Sequence, residues 1–193
     1  MVDPGSGAGR RRIGRATGAP GVTVREWTGH GVADLLAGRG ALAALESAIR
    51  ASVSLELPAP GRSAAAAGLR FLRTGPLRWQ VQAEAPRPGW IDALRAAAGG
   101  AASVVDQSDA RRHFDVGGPR VRDALAKGLP LDLHPEAFGV GDVASTSVAH
   151  VTVGVRRLDG ESAFRIGVPR SYAESWLEWL FASAAEFGCD VGP

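Results

Sequence analysis

The sequence predicts an α+β fold, internally duplicated into two lobes, with mostly antiparallel sheets and flanking helices. Three observations predict it. Short segments of alternating apolar residues, such as Val151, Val153 and Val155 and then Phe164, Ile166 and Val168, have the period of half-buried strands. Tight turn signals join neighbouring strands, Gly75-Pro76 in one place and Asp159-Gly160 in another. A unit of strand, glycine turn, aromatic-led strand and helix is read at Leu69–Ala98 and again at Val151–Ala185.

The elements follow in chain order. Residues 1–21 are rich in Gly, Arg, Ala and Pro without periodicity, and are expected to form a disordered basic arm. Gly5, Gly7 and Gly9 mimic a phosphate loop but follow no strand and precede no Lys-Ser/Thr. Val22–Trp27 and Val32–Ala37 read as strands. Ala41–Arg50 reads as a helix with Leu42, Leu45 and Ile49 on one face. Leu57–Gly61 is a loop. Gly68–Arg73 and Trp79–Ala83 are strands about the Gly75-Pro76 turn. Pro88–Ala98 is a helix with Trp90, Ile91, Leu94 and Ala98 inward, stopped by Gly99-Gly100.

Ala101–Asp106 and Arg112–Val116 are the next strands. Pro119 suits the first position of a short helix carrying Val121, Ala124 and Leu125, which Gly128 ends. The loop after it carries Leu129, Leu131, Leu133, Ala137, Phe138 and Val140. Burying one Leu or Phe contributes roughly 1.5–3 kcal/mol, so this loop is expected to pack either on the chain's own core or on another chain. Val143–Val148 is extended. Ser171 with Glu174 three residues on reads as a capping box for a final helix from Tyr172 to about Phe187, capped by Gly188. The expected organisation is an arm at 1–21, one duplicated domain at 22–188 with lobes of roughly 22–100 and 101–188, and a tail at 189–193.

Composition limits the function. The chain has 193 residues, 45% of them hydrophobic, enough for a core. No apolar run approaches the ~20 residues of a membrane span. The arginines at 10, 11, 12 and 15 precede no apolar stretch, so an export signal is not expected. Residues 1–21 hold four Arg and one Asp, net +3, against +2 for the whole chain, which leaves −1 on the remainder. A nucleic-acid binder needs a basic folded face, and none is expected here. Cys189 is a lone cysteine, so no internal disulfide forms; this fits a reducing cytoplasm. The histidines at 30, 113, 134 and 150 lack the spacing of a metal pair. His113 is expected off the core face of its strand. Asp106, Asp109 and Asp115 read as turn and cap residues. No catalytic, cofactor or metal residue is assigned to this chain.

The run D-x-S at Asp106–Ser108, Arg111, the Gly118-Pro119 pair, and G-L-P-L-D-L-x-P-x-A-F-x-V-G from Gly128 to Gly141 resemble the gamma subunit family of heterotetrameric sarcosine oxidase. Gly75-Pro76-Leu77-Arg78-Trp79, Phe164-Arg165-Ile166 and Arg170-Ser171-Tyr172 extend the likeness over roughly residues 32–185. Gln80, Leu129 and Ser145-Thr146 depart from the family pattern. The resemblance implies a fold similar to the folate-binding domain of the glycine-cleavage T-protein, which is itself duplicated. It implies a non-catalytic subunit supporting the alpha subunit's folate-handling domain during oxidative demethylation of sarcosine to glycine. FAD, FMN, NAD, zinc and tetrahydrofolate are then expected on partner subunits, and the partners are the alpha, beta and delta subunits, alpha foremost. The alternatives are the small subunit of a related N-methyl amino acid dehydrogenase and a stand-alone folate-binding protein; the K-G-C-x-x-G-Q-E motif of the related iron–sulfur maintenance proteins is absent.

The final helix supplies the leading interface candidates. Tyr172, Trp176, Leu180, Ala184 and Phe187 form one stripe, with Trp179 off it and Leu177 and Phe181 on its flank. A helix this apolar around its girth is either buried or covered by another chain. The expected interface residues are Trp27, Trp90, Trp176, Trp179, Phe181, Leu133 and Phe138, with the chain's own core the stronger reading for Trp176.

Overall fold

The structure, a computed structural model, describes residues 11–192 except positions 16 and 161. In chain order the elements are β1 (Arg11–Ile13), β2 (Val22–Trp27), β3 (Gly31–Ala37), α1 (Leu42–Val53), β4 (Ser63–Ala66), β5 (Leu69–Gly75), β6 (Arg78–Ala83), α2 (Trp90–Ala97), β7 (Ala102–Asp106), β8 (Arg111–Gly117), α3 (Val121–Ala126), β9 (Val143–Val148), β10 (Val151–Arg157), β11 (Ala163–Pro169), α4 (Ala173–Ala184) and β12 (Cys189–Gly192). Two compact units result. One holds the five-stranded sheet β4-β5-β6-β3-β7 within residues 29–109, together with Gly141–Val143. The other holds the seven-stranded sheet β1-β12-β2-β8-β11-β10-β9, drawn from the residues through Thr28, Ala110–Val140 and Ala144 onward.

The duplication is plain in the topology. Each unit runs strand, helix, three-strand meander, helix, strand: β3-α1-β4-β5-β6-α2-β7 in one and β8-α3-β9-β10-β11-α4-β12 in the other. The lobes do not divide at residue 100, however. β2 leaves the first lobe and pairs antiparallel with β8, Val24 opposite Val116. β7 stays with the first lobe, pairing antiparallel with β3. Both segments read as strands in the sequence, which does not say which sheet each joins.

The ends of the chain also differ from expectation. Residues 1–10 of the expected arm lie outside the described residues. Arg11–Ile13 is strand β1, and the expected tail is strand β12, with Cys189 fully buried. Arg12 bonds Asp190 at 2.9 Å across this pair, and β12 runs parallel to β2. β4 has no signal in its Ser-Ala-Ala-Ala sequence; pairing with β5 decides it.

The core of the seven-stranded unit is built from Val24, Phe114, Val116, Leu125, Phe164, Ile166, Trp176 and Leu180, among others. The apolar loop after α3 completes it: Leu129, Leu133 and Phe138 are buried there, and Phe138 stacks near Phe164 with centroids 6.4 Å apart. The five-stranded unit packs Leu45 and Ile49 of α1 and Leu94 of α2 against Leu35, Phe71, Trp79 and Val81.

One local expectation needs correction. Ser171 makes no capping bond to α4. Arg170–Tyr172 forms a one-turn 3-10 helix that delays the α-helix to Ala173, and Glu174 turns to Arg112 instead. The Asp159-Gly160 hairpin is present, and Arg157 braces it by donating to the carbonyls of Leu158 (2.7 Å), Gly160 (2.8 Å) and Ala163 (2.8 Å). Burial, then the nearby Arg122, lowers the pKa of that guanidinium.

Candidate interaction surface

Three of the expected interface residues are used inside the chain. Trp176 is 3% exposed and stacks on Phe114, centroids 5.2 Å apart and planes 21° from parallel. Leu133 and Phe138 close the same core. Their apolar area is satisfied by α4 and the sheet, so they present no surface to another chain.

Trp27, Trp90, Trp179 and Phe181 keep part of their surface open. Trp179 sits one turn beyond Trp176, 6.4 Å away between centroids, and its indole packs closely against Gly128. A Cβ at position 128 would stand 2.7 Å from Trp179 Cζ2, so glycine there serves close approach. Lys127, beside it, donates to the carbonyl of Ser183 at 2.6 Å and pairs with Glu186, pinning the C-terminal end of α4. Gly128 also lines an open cleft of about 380 Å³ with Leu129, Pro130, Ser147 and His150. The rim of that cleft is the β9–β10 turn, where Ala149 (φ 46°) and His150 (φ 70°) are both left-handed. These are the dihedrals of a type I′ hairpin turn, made here without the Asn-Gly that signals one.

Trp27 occupies a different place, near the end of β2. Arg165 stacks over its ring at 3.6 Å while bonding Asp115 through two contacts of 2.6 and 2.7 Å. His113 meets Trp27 edge-on at 5.7 Å. Strand alternation puts His113 opposite Phe114, as expected, but it is only 1% exposed. Gly167, its cross-strand partner, leaves the room: a Cβ there would stand 2.9 Å from His113 Nε2. On the helix side of the same strand, Arg112 bonds Glu26 at 2.7 and 2.8 Å and pairs with Glu174. The hydrogen bonds from Arg112 to Glu26 are the main reason its pKa is raised. These arginines hold the edges of the core together; single Arg residues in strands carry no sequence signal for such pairing.

Asp106 and Asp115 are structural. Asp106 accepts from the backbone N–H of Ser108 at 2.9 Å and from its hydroxyl at 2.7 Å, which lowers the carboxyl pKa, the backbone bond chiefly. Ser108 in turn receives the N–H of Val32 at 3.1 Å. The D-x-S run is therefore a clasp between β7 and β3. Among the described residues no group of three His, Cys, Asp or Glu could hold a metal ion. No helix among them is long and apolar enough to cross a membrane.

The family model described as "Sarcosine oxidase, gamma subunit family" matches residues 37–186. The chain belongs to that family. It is 33% identical to the sarcosine oxidase gamma subunit of Corynebacterium sp. (strain U-96) over 144 residues, 73% of this chain and 69% of the relative. The sarcosine oxidase gamma subunit of Arthrobacter sp. is 36% identical over 101 residues, 51% of this chain and 49% of that one. Among solved structures, a chain of heterotetrameric sarcosine oxidase from Corynebacterium sp. U-96 superposes with a TM-score of 0.77 at 32% identity, covering 89% of this chain and 87% of that one. The glycine cleavage system aminomethyltransferase T of Bartonella henselae superposes at 0.68 with 14% identity, over 90% of this chain and 48% of that one, which shows a shared fold. The resemblance of the central loop and the duplicated α+β fold are thus both borne out.

Proposed function

We propose that this chain is the gamma subunit of a heterotetrameric oxidase acting on sarcosine, and that its part is architectural. The observation that carries this is the likeness to a chain of heterotetrameric sarcosine oxidase over nearly nine-tenths of both lengths. The site chemistry supports it. Asp106 and Asp115, acidic residues singled out by the sequence, are engaged in a clasp and an ion pair. The half-buried Trp179, packed against Gly128 at the open cleft, supplies an apolar anchor of the kind a subunit interface uses.

On this reading the alpha, beta and delta subunits carry FAD, FMN, NAD, zinc and tetrahydrofolate, and this chain braces the alpha subunit's folate-handling domain in the cytoplasm. The complex converts sarcosine to glycine with oxygen as acceptor. The test is oxygen uptake by the complex purified through a tag on this chain. Uptake on adding sarcosine, with flavin absorbance between 350 and 500 nm, is the expected result. A yellow complex that oxidises a different N-methyl amino acid without consuming oxygen would favour the dehydrogenase reading. The shared fold with aminomethyltransferase T favours a folate-binding alternative, and saturable folate binding by the isolated chain would select it.

A further inference from the structure

The outer edge of the seven-stranded sheet is built in two layers. β12 lies parallel to β2, with Cys189 opposite Val22. β1 then pairs antiparallel with β12, Arg11 opposite Val191 and Ile13 opposite Cys189. By itself β12 would make a poorly defended edge. Natural edge strands are blunted by charged side chains, Lys above all, by Pro, by bulges or by very short length. Cys189-Asp190-Val191-Gly192 holds no Lys, Arg or Pro, and its one charge, Asp190, is taken up by Arg12. β1 supplies what β12 lacks. It is only three residues long, Arg11 is exposed on it, and the left-handed Gly14 (φ 77°) ends it directly after Ile13.

The attachment of β1 is specific. Arg12 donates to the Asp190 carboxylate at 2.9 Å and to the carbonyls of Arg15 (2.9 Å) and Gly18 (3.2 Å). One guanidinium thus latches β1 to β12 and folds the turn behind it. The N–H of Arg15 donates to the carbonyl of Ala185 at 2.9 Å, and that of Gly21 to Phe187 at 2.9 Å. A Cβ at position 14 would stand 2.1 Å from the Ala185 oxygen, so no side chain fits there with β1 seated. On the core face, Ile13 extends the row of Cys189 and Val22 by one strand and packs against the same cluster.

We propose that residues 11–15 are an edge guard, which occupies the outer edge of β12 and keeps it from pairing with β12 of a second copy of this chain. β1 demonstrates that this edge takes an antiparallel strand. A two-fold axis sets two copies of one strand antiparallel, so a second β12 meets the edge in the sense that β1 uses. With the guard off, the apolar row ends at Cys189, and a second copy of the edge covers it in place of Ile13. The guard therefore exchanges an edge that can pair with itself for one that is short and cationic.

Sedimentation of the full chain at rising concentration tests this. Gly14→Val, which keeps β1 from seating, should stay folded by circular dichroism and dimerise at least ~10-fold more strongly than the parent chain. Arg12→Ala, which removes only the latch, should move the same way by less. Gly14→Val/Asp190→Lys should return to the parent's behaviour, because Lys blunts the uncovered β12 edge. That reversal separates edge pairing from association through another surface. A folded Gly14→Val chain no more dimeric than the parent overturns the guard. If Gly14→Val does not fold, Arg12→Ala decides, supporting the guard if it dimerises more strongly than the parent and overturning it if not. A dimer that persists with Asp190→Lys overturns β12 as the pairing edge.

Discussion

Single residues show which aromatic surface belongs to the chain itself. Trp176 and Trp179 are three apart on α4, yet one is stacked on Phe114 and the other lies half open over Gly128. Trp176→Ala should destabilise the isolated chain by about 3–5 kcal/mol in denaturant titration, the usual cost of emptying an aromatic core site. Trp176→Phe should cost much less, since the buried indole Nε1 finds no hydrogen-bond partner among the described residues. Trp179→Ala should cost less stability than Trp176→Ala, since Trp179 is only half-buried, and should weaken assembly, measured by the fraction of chain eluting with partners. Gly128→Ala should displace the Trp179 indole and shift its fluorescence. Two titrations are also fixed at this scale. Burial, chiefly, pushes the Cys189 thiol up to about 11, above the unfolded value of about 8.5. The unfolded state then loses its proton first, so stability should decline as pH rises from about 8.5 toward 11, and thiol reagents should react only on unfolding. Asp106 has the opposite sign. Its contribution is complete above the unfolded carboxyl value of about 3.9 and is lost as pH falls through its lower folded value, so Asp106→Ala should flatten the acid limb of the stability profile.

At the scale of elements, legibility followed the source of each signal. β2, β10 and β11 were readable because apolar alternation is written into their own residues. β4 and β12 were not, since Ser-Ala-Ala-Ala and Cys-Asp-Val-Gly become strands through the neighbours they pair with. The β9–β10 turn has no sequence sign because Ala149 and His150 adopt left-handed dihedrals without the Asn-Gly pair that announces such a turn. Each such residue carries a cost of roughly 1–2 kcal/mol. Replacing Ala149-His150 by Asn-Gly should therefore raise stability by about 1–2 kcal/mol, read as a higher thermal midpoint. Little change would mean that a contact of His150 at the cleft offsets the strain. The capping box failed for a related reason: Pro169 leads into a 3-10 turn, and Glu174 has a better partner in Arg112.

For the whole molecule, the family-specific loop from Gly128 to Gly141 and the repeated strand–turn–strand–helix unit were visible in the residues, and both bear on what the chain is. The candidate surface was legible only in part. A Trp in a sequence announces a large apolar side chain without saying which face receives it, so Leu133, Phe138 and Trp176 went inward while Trp179 stayed at the rim. The arginine pairs of Arg112 and Arg165 depend on register between distant strands and had no local sign. The account that results is of a duplicated fold whose own charged residues are largely occupied in holding it together, and whose remaining apolar rim suits it to partners. Native mass spectrometry of material purified through a tag on this chain tests that most directly. The account predicts one copy of this chain with three different polypeptides in a single flavin-coloured assembly. A colourless mass equal to this chain alone, or to multiples of it, would contradict it.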